Sequence, residues 1–176
     1  VVLVQGTGAL SRLIRLATRS LWSHAAMVAS VGANGEPRIW EVSWRASLQP
    51  LAIYAGRRLR IIRPPYLSPA HGREVAEWLL SSVGTPGAGQ PYPWHELALY
   101  PLRGISRRAA LWALRLDPRG VCSVYGVARA LEAGGIAVRD ASGRHLPPDL
   151  VTPADLGAQG WPRVLCLPAT GIGGSR

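Results

Sequence analysis

The sequence predicts a folded chain that mixes strands with helices, and three observations carry that reading. Hydrophobic residues make up 48% of 176 positions against 17% charged ones, a balance that builds a real core without disulfide staples. Short apolar or alternating runs bounded by glycine, proline and asparagine recur along the chain, as in strands joined by turns. Between them lie stretches with apolar residues at helical spacing, one of which has a capping serine and a proline at its first position.

Taken in order, "VVLVQG" reads as an opening strand rather than a charged-then-apolar leader. Residues 11–21 read as a short helix carrying Leu13, Ile14, Leu16 and Ala17. "SHAAMVASV" and "RIWEVSW" are strands on either side of "GANGEP", which is dense in turn residues, so a hairpin is expected. "LAIYAG" and "LRIIRP" read as two more strands. "SPAHGREVAEWLLSSV" is a helix with Ser68 as cap, Pro69 first, and Val75, Trp78, Leu79 and Val83 as its apolar stripe. "GTPGAGQPYP" is a loop that lacks the Gly-Lys-Ser/Thr ending and the preceding strand of a phosphate cradle. Residues 105–116 form an amphipathic pattern, with Ile105, Ala109, Trp112 and Leu116 edged by Arg108, Arg115 and Arg119. Such a helix packs on a core or docks on an anionic membrane surface. "RDASGRHLPPD" is a loop, "TPADL" a helical turn capped by Thr152, and "RVLCLP" a closing strand. One domain over 1–168 and a mobile tail over 169–176 are expected. No apolar run approaches the ~20 residues of a membrane span.

The formal charge is +10, and all 20 basic residues are arginine. Such a balance favours acidic partners, whether nucleic acid, anionic lipid or wall polymers. The arginines are scattered and no nucleic-acid motif accompanies them, so nucleic acid is the least favoured. The two cysteines do not form a disulfide framework, and no cysteine–histidine cluster has zinc spacing, so neither metal nor cofactor is expected. Cys166, inside "RVLCLP", reads as buried and inert.

Cys122 is different. In "GVCSVYGVARAL" the side chains of Val124, Val127, Ala128 and Leu131 fall on one helical face, while Cys122 lies opposite with Gly126, Ala130 and Ala133. A helix start favours a thiolate; a small hydrophobe near a helix start is the plain alternative. A nucleophilic thiol needs a base. His71, His95 and His145 read as surface residues, whereas His24 opens a strand and shares a face with Ala26 and Val28. Glu41 alternates with Ile39 and Ser43, opposite Trp40, Val42 and Trp44, and a carboxylate there needs a partner if it is buried. A two-residue turn at Gly32-Ala33 sets Glu41 directly across from His24. A turn at Asn34-Gly35 sets it across from Val28.

In this order, Trp22-Ser23-His24, Glu41 and Cys122-Ser123 running into Ala128-Arg129-Ala130-Leu131 resemble the permuted papain-like cysteine hydrolases, the YiiX-like branch of the NlpC-type cell-wall peptidase superfamily. "TPADL" resembles the closing T/S-P-x-D-L element of that group, and "GQPYPW" its G-x-x-Y-D loop. Val124 and Pro93 stand where the group often carries acids. The resemblance implies an α+β papain-like fold, circularly permuted, with an antiparallel barrel-like sheet packed on helices. It implies Cys122 as nucleophile, His24 as base and Glu41 as its orienter, with the N–H groups of Cys122 and Ser123 at the oxyanion and Tyr92 as a binding or oxyanion residue. The implied substrate is a peptidoglycan stem peptide or a small amide conjugate; cytoplasm and cell envelope both stay open as the compartment. Two alternatives stay open: an acyltransferase or thioesterase acting on lipid-linked acyl groups, and a non-enzymatic basic binding module in which Cys122 is incidental.

Overall fold

The first strand, β1 (Val2–Gln5), has buried side chains on both of its faces, with Val2, Leu3 and Val4 all nearly inaccessible. Three successive apolar residues that bury both faces belong at the centre of a sheet, and β1 lies there. A computed structural model of the chain describes residues 1–42, 46–65, 67–83 and 123–167. In chain order its elements are β1, α1 (Ala9–Thr18), β2 (His24–Val31), β3 (Pro37–Val42), β4 (Ala46–Pro50) and a 3₁₀ turn (Leu51–Tyr54). These are followed by β5 (Arg58–Ile62), α2 (Pro69–Ser81), α3 (Ser123–Ala133), a second 3₁₀ turn (Pro148–Leu150), α4 (Pro153–Ala158) and β6 (Arg163–Leu167). The fold is α+β.

Six strands form one sheet in the order β4-β3-β2-β1-β5-β6, and every neighbouring pair is antiparallel. The edges β4 and β6 do not pair with each other among the described residues, so the sheet is open. The barrel-like closure that the resemblance implied is not formed. The reason lies in how the two faces are covered. Leu3, Ala25, Met27, Trp40, Val42 and Ile62 belong to a core shared with α2, α3 and α4. On the other face Val2, Val4, Ala26, Ile39 and Leu59 pack with Tyr54 of the first 3₁₀ turn. Both apolar faces are thus buried by layers rather than by curling the sheet shut.

Several elements depart from their sequence reading. α1 begins earlier and ends sooner than 11–21, closing at Arg19 in the left-handed region with φ 48°. "LAIYAG" is a 3₁₀ turn rather than a strand, entered from Pro50 and left near Gly56 at φ +76°. The mixed run 46–50 is a strand that no alternation announced. α2 has the expected Ser68 cap and Pro69 start. In α4 the Thr152 cap is extended to a capping box by Asp155. The loop "GTPGAGQPYP", the amphipathic run 105–116 and the tail 169–176 lie outside the described residues.

α3 is buried on both sides. Val124, Val127, Ala128 and Leu131 are buried as their stripe demands, but Gly126 and Ala130 on the opposite side are buried too. The Trp40 indole fills the space that Gly126 leaves: a β-carbon there meets Trp40 Cη2 at 2.0 Å. Trp40 is itself pinned, its Nε1–H donating to Ser82 Oγ at 2.8 Å and its ring edge-on to Trp78. The ring has no room to retreat. Gly126→Ala is therefore expected to destabilise the fold by about 1–3 kcal/mol through overpacking, read as a lower midpoint in urea unfolding with an unchanged slope.

Candidate active site

The β2–β3 hairpin sets the site. Gly35, at φ +78°, closes a tight turn in which its N–H bonds to Gly32 O at 2.9 Å, and Gly32 N–H bonds to Glu36 O at 2.8 Å. The loop is 33–35, so neither two-residue turn forms. The pairing starts with Val31 opposite Pro37, slips at a bulge between Val28 and Ser30, and continues with Val28 opposite Ile39 and Met27 opposite Trp40. Counting on, Glu41 falls opposite Ala26, diagonal to His24. The direct facing pair is replaced by a diagonal one, which long side chains still span.

His24 Nε2 lies 3.1 Å from Glu41 Oε2. The Tyr54 hydroxyl donates to the same carboxylate oxygen, and the Tyr54 ring stands edge-on to the imidazole with centroids 6.1 Å apart. The Arg57 guanidinium lies over the Tyr54 ring, 5.7 Å from its centre. Glu41 is only 8% exposed, while the His24 side chain keeps 24% exposure. A neutral imidazole that donates from Nε2 to a carboxylate presents the lone pair of Nδ1 as its free acceptor. Glu41 thus occupies Nε2, and Nδ1 is the other ring nitrogen of His24.

Burial pushes the Glu41 carboxyl up. The hydrogen bonds from His24 and Tyr54 and the charges of His24 and Arg57 outweigh it, and the group sits below the usual carboxylate range. Tyr54 is held far above the usual phenol range, first by burial and then by the Glu41 charge and hydrogen bond, so it stays a donor. Glu41 is the fixed anion of the cluster.

Ser123 opens α3, and its hydroxyl is the tie between helix and hairpin. It donates to Ala25 O at 2.5 Å and accepts from Val42 N at 3.3 Å. Ala25 follows His24, and Val42 follows Glu41. In the β2–β3 register these two backbone groups face each other, so the serine oxygen takes the place of a ladder bond. Its side chain is therefore committed to the sheet. Cys122 and Tyr92 lie outside the described residues, as do Ser43 and Trp44. His71 and His145 are exposed, as read from sequence. Cys166 pairs with Arg60 across β6 and β5.

Tyr54 and Arg57 were missed by sequence reasoning, because "LAIYAG" read as a strand and a tyrosine within it as packing. The only available signal was that a buried carboxylate accepts more than one hydrogen bond. Among the described residues no group of three or more His, Cys, Asp or Glu is arranged to hold a metal, and no helix is long and apolar enough to cross a membrane. No family model matches the chain, and no curated protein matches it in sequence.

The site has a pH signature. A carboxyl depressed on folding stabilises the fold fully above its unfolded value, 4.5, and loses that stabilisation as pH falls through the lower folded value. Wild-type protein is thus expected to exceed Glu41→Gln in urea midpoint near neutral pH, with the gap narrowing steadily below about pH 4.5. Tyr54→Phe removes one of the groups holding the carboxyl down, so its midpoint is expected to be less sensitive to acid than that of wild type. Equal slopes of midpoint against pH in all three proteins would contradict the assignment.

Ser123→Ala leaves Val42 N–H and Ala25 O facing each other without the oxygen that separates them. A loss of about 1–3 kcal/mol is expected. Amide exchange at Val42 should accelerate in the variant, and an unchanged exchange rate would show that the strands close up on their own.

Proposed function

We propose that this chain is a thiol hydrolase of the permuted papain-like kind that cleaves an amide bond with Cys122, His24 and Glu41. The observation that carries the reading is the His24 Nε2–Glu41 bond, which turns the other ring nitrogen, Nδ1, away from the carboxylate, at the strand ends to which Ser123 ties the start of α3. Cys122 is the residue joined to Ser123. A cysteine and an imidazole oriented by a carboxylate are the working parts of a nucleophilic thiol site.

In this mechanism His24 Nδ1 takes the Cys122 proton, and the thiolate attacks the amide carbon. The developing oxyanion is held by backbone N–H groups of Cys122 and Ser123; the Ser123 hydroxyl takes no part, being used by the sheet. The imidazolium, stabilised by the Glu41 carboxylate, gives its proton to the leaving amine, and a thioester on Cys122 remains. His24 then removes a proton from water, which attacks the thioester and releases the acid and the thiol. Tyr92 is proposed as a substrate contact. The favoured substrate is a peptidoglycan stem peptide or a small amide conjugate whose carboxylates suit a strongly arginine-rich chain.

Two measurements test the reading. A limiting amount of iodoacetamide near neutral pH should modify Cys122 well before Cys166, and His24→Ala should slow labelling of Cys122 while leaving Cys166 slow. Equal labelling of the two cysteine peptides by mass spectrometry would make Cys122 a packing residue. Against an amide substrate, Cys122→Ala is expected to abolish turnover, whereas Glu41→Gln lowers kcat and keeps the fold. An unchanged rate in Glu41→Gln would remove the carboxylate from the mechanism.

A further inference from the structure

α1 is oriented against the usual rule for a helix beside a core. Of its larger apolar side chains Ile14 is the one that is buried, whereas Leu13 is 48% exposed and Leu16 78%; Leu21, just beyond the helix, is 47% exposed. Leu13 and Leu16 share one arc at helical spacing, and Arg12, Arg15 and Arg19 gather on the flank beside it. The helix contains no acidic residue. Single exposed leucines are ordinary, but a continuous apolar arc turned to solvent and bordered on one side by cations has the composition of a helix lying in a membrane interface.

We propose that α1 docks on a membrane surface carrying anionic lipid headgroups. Leu13, Leu16 and Leu21 enter the boundary between headgroups and acyl chains, and the exposed Arg12 and Arg19 pair with headgroup phosphates through bidentate hydrogen bonds. The chain's net charge of +10 draws the protein towards the same surface. Leu21 lies three residues before His24, on the connection from α1 to β2, so docking brings the His24–Glu41 pair to the lipid surface. The proposal stands on the exposure and charge of α1 and is independent of the chemistry assigned to Cys122.

The test is flotation of the whole chain with vesicles of phosphatidylglycerol in phosphatidylcholine and with vesicles of phosphatidylcholine alone. Binding is expected to the anionic vesicles only and to fall with added salt. L13S/L16S keeps every charge, and it should weaken that binding by about tenfold or more. R12Q/R19Q should weaken it mainly at low salt. If the double serine variant unfolds more readily than wild type, L16S alone, at the most exposed position, takes its place. Failure of the wild-type chain to bind anionic vesicles overturns the proposal. So does binding that survives the serine changes, which would be attraction to the net charge alone. A dimer that L13S/L16S abolishes, with no vesicle binding, would assign the face to a second copy of the chain instead.

Discussion

The insertion of one hydroxyl between two strands governs how the rest of the molecule is arranged. Ser123 Oγ bridges Ala25 O and Val42 N, where the β2–β3 ladder would otherwise close on itself. A serine is suited to this because it both donates and accepts, so neither buried backbone group is orphaned. The bridge fixes the start of α3 against the hairpin end that carries His24 and Glu41. Further along the same helix, Gly126 lets the Trp40 ring lie against the backbone, which fixes the helix in height above the sheet. With one end tied by hydrogen bonding and the next turn seated by shape, α3 has little freedom to slide.

That rigidity matters because Glu41 is a charge in an apolar setting. Its face of the sheet is otherwise built from Val2, Val4, Ala26, Ile39 and Leu59, side chains that offer a carboxylate nothing. Isolated there, the group would protonate. Two donors converge on one oxygen instead, the imidazole from across the hairpin and the Tyr54 phenol from the 3₁₀ turn. Arg57 adds a positive field from beyond the ring. The carboxylate stays ionised because its partners are positioned by the backbone, and they remain in position because the hairpin cannot change register. A slip of one residue would move Glu41 to the helix-covered face.

Much of this was legible from the residues, and the failures have identifiable causes. Alternation put His24 and Glu41 on one face and Trp40 and Val42 on the other, as the two core clusters have it. Capping residues located α2 and α4 because Ser68, Pro69 and Thr152 act locally. The hairpin register was not legible. It depends on a bulge at 28–30 and on a positive φ at Gly35, and no local pattern distinguishes their sum from either simpler turn. Tyr54 was hidden for a related reason: an apolar run of four is as good a strand as a 3₁₀ turn until its neighbours are known. The open sheet was missed because closure is decided by what covers the faces, which is a property of the whole chain.

The sheet divides labour between its faces. The face under α2, α3 and α4 holds the large aromatic and aliphatic contacts that make the fold stable, Trp40 among them. The opposite face carries a smaller core and the ionised site, and among the described residues the first 3₁₀ turn packs on it through Tyr54. On this face His24, at the start of β2, keeps part of its ring in solvent. The Glu41 carboxylate beside it is nearly buried, and the convergence of Tyr54 and His24 on it offsets the cost of its desolvation. β1 makes the division possible. Apolar from Val2 to Val4, it supplies Leu3 to the helix-packed core and Val2 and Val4 to the site-bearing one, so neither face has to be strengthened at the other's expense.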